Sequence, residues 1–131
     1  MNLKVAVSSF IFALALTACQ SGSLPQKGYN QWKKQINDYY ASLGSSIQFK
    51  ANYASYAWIK GSGTEDVGTL KDSVWYKVNY TVSAPTISQS YYTYLVYQNG
   101  SVRELDSATS YNYAVSLVSN GSLAGEVGSV N

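Results

Sequence analysis

Ser73-Val74-Trp75-Tyr76-Lys77-Val78-Asn79-Tyr80-Thr81-Val82 decides the fold class, because its large apolar residues Val74, Tyr76, Val78, Tyr80 and Val82 fall at every second position. A period of two in residues that are mostly β-branched or aromatic predicts a strand with one buried face. Ser73, Trp75, Lys77, Asn79 and Thr81 then share the outer side. Ala84-Pro85 ends the strand, since proline has no amide hydrogen to give to a ladder.

Outward from that strand, Asn99-Gly100 interrupts residues 90–105 and predicts a type I′ hairpin, a turn that needs positive φ at both central positions. A two-residue loop sets Gln98 opposite Ser101, Tyr97 opposite Val102, Val96 opposite Arg103 and Leu95 opposite Glu104. Two sets compete for the buried face, Tyr92, Tyr94, Val96 and Leu105 against Tyr91, Leu95, Tyr97 and Val102, and a one-residue slip would exchange them. Tyr111, Tyr113, Val115 and Leu117 alternate with Asn112, Ala114 and Ser116, predicting a last strand. Residues 120–131, rich in Gly and Ser, read as a flexible tail.

In the other direction, the glycines of residues 61–68 mark a loop. Residues 47–59 alternate again, with Ile47, Phe49, Ala51, Tyr53, Ala57 and Ile59 on one face and Gln48, Lys50, Asn52, Tyr56 and Trp58 on the other; a bend is expected near Ala54-Ser55. From residue 29 to 43 the period lengthens. Tyr29, Trp32, Ile36, Tyr39, Tyr40 and Leu43 form one helical stripe, Lys33, Lys34, Asn37 and Asp38 take the other side, and Gly44 supplies the stop. No internal repeat is evident. The sum is an α+β domain of two layers, one amino-terminal amphipathic helix packed on a curled antiparallel sheet of about five strands. That element order is similar to cystatin-like and NTF2-like domains.

Composition narrows the chemistry. The chain has no His and a single Cys, Cys19. Cys and His metal sites and Cys-His or Ser-His-Asp nucleophile systems are therefore excluded, as is an intrachain disulfide. The net charge of +2 falls by one if Lys4 is removed, and the lysines from Lys27 to Lys77 are scattered. Nucleic acid binding, which needs a basic stripe, is not expected. Tyrosine is the unusual abundance, with 13 in a chain only 12% charged.

The amino terminus carries its own signature. One charge in Met1-Asn2-Leu3-Lys4 precedes an apolar run from residue 5 to 16, broken only by Ser8 and Ser9, and Leu16-Thr17-Ala18-Cys19 closes it with small residues before the sole thiol. This is the layout of a secretory signal, too short to span a bilayer comfortably at about 20 apolar residues. It resembles the lipobox of bacterial lipoproteins. The resemblance implies cleavage after Ala18, acylation of Cys19 with diacylglycerol and palmitate-type chains, and a cell-envelope location. With Gln20 rather than Asp after the cysteine, it implies outer-membrane sorting in a Gram-negative cell. Residues 1–18 are then a signal peptide, 19–28 a lipidated tether, 29–119 the α+β domain and 120–131 the tail.

Within the domain, Glu65-Asp66 lacks the alternating acidic ligands of a calcium loop, and no metal or other cofactor is expected. Asp38, Asp72, Glu104 and Asp106 are the carboxylates that a small hydrolase would have to pair, about 5 to 9 Å apart. No serine stands in a strained nucleophile motif. Asn79-Tyr80-Thr81, Asn99-Gly100-Ser101 and Asn120-Gly121-Ser122 match the glycosylation pattern, which a bacterial lipoprotein would carry by coincidence, two of them as turns. What remains is aromatic surface. Tyr56, Trp58 and Trp75, each opposite the presumed core face, are the candidate binding residues, since Tyr and Trp combine large apolar area with a polar tip. The expected function is non-catalytic binding of an envelope protein, with the membrane reached through Cys19. Alternatives are a polysaccharide-binding domain using those aromatics and a carboxylate-dependent hydrolase.

Overall fold

A computed structural model describes residues 22–131 apart from residue 45 and residues 63–69. Cys19, the signal segment and Glu65-Asp66 lie outside the described residues. The element order is α1 (Leu24–Ser42), β1 (Gln48–Ser62), β2 (Ser73–Ala84), β3 (Ile87–Gln98), β4 (Ser101–Glu104), α2 (Thr109–Ser119) and β5 (Leu123–Val130). The strands form one antiparallel sheet in the order β4-β3-β2-β1-β5. The domain is α+β, as the alternating and helical periods predict.

α1 starts five residues earlier than its apolar stripe suggests. Ser23 caps it by accepting from the Gln26 amide, and Pro25, with φ already set for a helix, sits in the first turn. Residues 24–28 are therefore helix and not tether. Pro25 and Gly28 are buried with Tyr29 and Trp32. Gly28 lets the helix touch the sheet: a Cβ there would lie 2.3 Å from the Tyr76 hydroxyl and 2.6 Å from Cγ of Tyr97. The buried Tyr76 hydroxyl donates to the Pro25 carbonyl at 2.7 Å. At the other end Gly44 adopts a φ of 107° and stops the helix, as its position predicts.

The face of β2 carrying Val74, Tyr76, Val78 and Tyr80 is the face under α1. The β3–β4 register is the one the two-residue turn dictates, with Asn99 at φ 55° and Gly100 at φ 78°. Leu95, Tyr97 and Val102 join the core under α1, which decides the open choice of hairpin face, while Val96 is buried on the reverse side opposite Trp75.

Three expectations fail. Residues 109–119 form a helix, not a strand, because Ala114, Val115, Leu117 and Val118 also fit a helical stripe, and tertiary packing selects that period. α2 covers Ala57, Ile59 and Trp75 on the sheet face away from α1, so the sheet is sandwiched over part of its area and the two-layer expectation does not hold. Residues 123–130, expected in a flexible tail, are strand β5, paired with β1 from Ala54↔Val130 to Ser62↔Leu123. Leu123 is buried under α2 and Val130 against the α1 core, and that burial anchors a segment whose glycines suggested fraying.

Candidate interaction surface

β1 carries the decisive irregularity. Its pairing with β2 slips between Ala51 and Tyr53, leaving Asn52 as an extra residue. A bulge of this kind shifts the alternation by one. Phe49 and Ala51 face α1 before it, and Ala54, Tyr56 and Trp58 face α1 after it. Asn52 is pinned from the reverse face: its amide donates to Asn79 Oδ1 at 2.7 Å and to Thr81 Oγ1 at 3.0 Å. Two members of one glycosylation-like triplet thus hold a bulge.

Of the three aromatic residues the sequence singles out, the bulge puts two on the core side. Tyr56 is 8% exposed and pairs across the ladder with the fully buried Tyr76. Its hydroxyl donates to Glu126 on β5, and Lys60 donates to the same carboxylate at 3.2 Å while lying 4.4 Å above the Trp58 ring. Burial first, and the hydrogen bond to Glu126 second, push the Tyr56 hydroxyl up to about 12. The donated bonds from Tyr56 and Lys60 hold the Glu126 carboxyl below its ordinary range. Trp58 is partly buried beside this network, and its indole N–H has no partner among the described residues. A cavity of about 450 Å³ opens next to it, bordered by Leu24, Lys71, Asp72, Tyr97 and Asn99. Trp75 lies on the opposite face, packed with the α2 cluster, its N–H donating to Ser73 at 2.9 Å. The structure brings Tyr56 and Trp58 together in a structural lock and leaves Trp75 on the far side of the sheet. No shared patch of these three exists.

The exposed aromatics are elsewhere. The β2–β3 hairpin, turning at Pro85-Thr86, forms the end of the sheet remote from the start of α1. On the α1 face a continuous chain of rings runs toward it. Trp32 meets Phe49 at 5.5 Å and Tyr80 at 6.0 Å, Phe49 stacks on Tyr40 at 5.6 Å, Tyr80 stacks on Tyr91 at 5.5 Å, and Tyr40 meets Tyr39 at 5.2 Å. Exposure rises along the chain from 2% at Trp32 to 42% at Tyr91 and 54% at Tyr39. Leu43 and Ile87 add exposed apolar area at the same end. On the reverse face the exposed rings are Tyr53 and Tyr92, their hydroxyls 3.3 Å apart, with Lys77 4.6 Å above the Tyr92 ring. Hydroxyl pairs Thr81–Ser90 and Ser83–Ser88 continue that face.

Two of the four candidate carboxylates are engaged by other side chains. Asp38 pairs with Lys34 at 3.1 Å on the exposed side of α1, and Glu104 accepts the Trp32 indole N–H at 3.1 Å. Among the described residues no group of three or more acidic or thiol side chains is arranged to hold a metal, and no helix is long and apolar enough to cross a membrane. Comparison with protein-family models, curated proteins and solved structures finds no match to this chain.

Tyr56 and Trp58 turn to the core side because the bulge breaks the single parity expected along β1, whereas Trp75 keeps its expected face and is packed with α2. Apart from Tyr113 on α2, the exposed rings among the described residues are Tyr39, Tyr91, Tyr92 and Tyr53. The signal available in the sequence was charge: no Asp, Glu, Lys or Arg occurs between Lys77 and Arg103.

Proposed function

We propose that this chain is a lipid-anchored cell-envelope lipoprotein whose domain acts as a non-catalytic protein-binding module through the aromatic end of its sheet. Acylation is assigned to Cys19, with outer-membrane placement in a Gram-negative cell. The observation that carries the binding reading is the ring chain from Trp32 to Tyr39 and Tyr91, rooted in the core and open at its end. Large rings fixed from behind offer contact area at little entropic cost, which favours them at protein interfaces. The run from α1 through β4 is read as the cystatin-like or NTF2-like order, with α2 and β5 as additions.

Since α1 begins at Leu24, only residues 20–23 separate Cys19 from the domain. Four residues reach about 13 Å at roughly 3.3 Å each. A 19-residue helix is about 28 Å long at 1.5 Å per residue, which separates the anchored end from the aromatic end. The test is cross-linked capture from the native envelope with the acylated chain, its Tyr39→Ser/Tyr91→Ser variant and, as control, Tyr113→Ser on α2. Loss of a discrete protein with the double variant alone is the expected result. Capture of peptidoglycan or polysaccharide only would overturn the protein-binding reading. Mass spectrometry showing a free Cys19 thiol would overturn the anchor.

Polysaccharide binding stays as the second reading, moved from Tyr56, Trp58 and Trp75 to the reverse face. There Tyr53 and Tyr92 stand next to the amides of Asn52 and Asn79, the ring-and-amide combination that sugar binding uses. Tyr92→Ala would abolish retention on cell-wall glycan if that reading holds.

A further inference from the structure

Among the described residues the sheet has four stretches of open edge, and only one lacks any device against pairing. β4 is four residues long and carries Arg103 and Glu104; β5 carries Glu126, ion-paired to Lys60, and is irregular in register against β1. Short length, charge and irregularity are how natural sheets blunt their edges. Residues 48–53 of β1, which β5 does not reach, carry Lys50 and the bulge at Asn52; β4 covers only residues 95–98 of β3, so residues 87–93 form the fourth stretch. It has no charge, no proline and no bulge, and its ladder to β2 is unbroken from Val74↔Tyr97 to Ala84↔Ile87.

Its free hydrogen-bonding groups can be named. The Tyr94 carbonyl accepts from the Leu105 amide at 2.8 Å, on the side away from β2. Backbone direction alternates along a strand, so Tyr92, Ser90 and Ser88 also turn their N–H and C=O outward. We infer that this edge pairs with the same edge of a second copy, antiparallel and centred on Ser90, to give a closed dimer with a continuous ten-stranded sheet. A two-fold contact sets each residue near its axis against itself or a near neighbour, and like charges directly opposite oppose pairing. An uncharged segment of serine, glutamine, threonine and tyrosine meets that condition. Tyr91 on one face and Tyr92 on the other flank the new ladder. The axis runs through the sheet, so both α1 helices stay on one face, antiparallel to each other. The inference stands on the edge alone and does not depend on the Cys19 anchor or on a foreign partner.

The test uses the full chain extracted in detergent. Its protein mass by light scattering should be that of two copies. Ser90→Cys should form an interchain disulfide under mild oxidation, because directly opposed residues have Cα atoms about 5.5 Å apart, within bonding range. Ser88→Cys, displaced by four positions from its own mate, should not, nor should the parent or Ser129→Cys on β5. Ser90→Lys should raise the dimer dissociation constant by roughly fivefold or more while the melting curve of the fold stays in place. A monomer mass, higher oligomers, or a dimer whose Ser90→Cys thiols fail to pair would overturn the inference.

Discussion

The two ends of this sheet use the same residue type in opposite ways. Where α1 begins, tyrosines are locked: Tyr76 is fully buried and bonded to the Pro25 carbonyl, Tyr97 lies against Gly28, and Tyr56 is bonded to Glu126. At the hairpin end, Tyr39, Tyr91, Tyr53 and Tyr92 hold their rings half in solvent. A single abundance in the composition thus divides into a structural population and an available one, according to whether a helix lies over the ring.

The largest effect that would break this contrast is expected at Gly28. Gly28→Ala places a methyl within contact of both the Tyr76 hydroxyl and the Tyr97 ring, so helix and sheet must separate at their tightest crossing. Overpacking of this kind costs about 3 kcal/mol, and urea unfolding should show it. Trp58→Ala comes next, at about 2 kcal/mol, reduced from the usual range for a buried Trp because the ring is only partly covered. A melting temperature unchanged in that variant would return Trp58 to the list of surface rings.

A sharper comparison sets Tyr76→Phe against Tyr29→Phe. The first removes a buried hydrogen bond and should cost about 1 to 1.5 kcal/mol; the second removes a buried hydroxyl that has no partner among the described residues, and should be neutral or stabilising by about 1 kcal/mol. Equal losses in both would mean the Tyr29 hydroxyl is satisfied.

Alkali should weaken the fold through its buried tyrosines. Burial raises the pKa of Tyr76, Tyr29 and Tyr97, and that of Tyr56 to about 12, from an ordinary value of 10.0. Groups raised on folding contribute stability that is complete below pH 10 and declines as pH rises through the folded values. Glu126 has the opposite sign: its lowered pKa gives stability present above about 4.5 and lost as pH falls. Chemical unfolding across pH should therefore decline on both flanks, and Tyr56→Phe should soften the alkaline one. A flat profile from pH 9 to 12 would contradict the burial of these hydroxyls.

How much of this was legible depends on where geometry is fixed locally. The Asn99-Gly100 turn dictates its own register, and the β2 alternation meets no irregularity, so both are readable in the chain. The bulge at Asn52 is held by Asn79 and Thr81, 27 and 29 residues away, and no local pattern announces it. One inserted residue then reversed Tyr56 and Trp58, which is why the candidate site moved. The stripe Ala114, Val115, Leu117 and Val118 suits a helix as well as Tyr111, Tyr113, Val115 and Leu117 suits a strand, and packing on Ala57 and Ile59 decides between them. The start of α1 falls in residues expected to be tether, although Ser23 and Gln26 have the spacing of a capping box ahead of the apolar stripe.

The smallest effect on stability belongs to the available rings, and it separates surface kept for contact from surface kept for folding. Tyr91 stacks on Tyr80 yet leaves 42% of itself in solvent, and among the described rings Tyr39 meets Tyr40 alone. Cross-strand and exposed ring pairs contribute about 0.2 to 1 kcal/mol. Tyr39→Ser and Tyr91→Ser should each shift unfolding by about 0.5 kcal/mol, and because Tyr40, Phe49 and Tyr80 lie between them, the double variant should be nearly additive. A loss several times larger in the double variant would mean that the ring chain is one cooperative unit of the core. Tyrosines retained at that end would then be explained by folding, and the proposed contact surface would lose its physical basis.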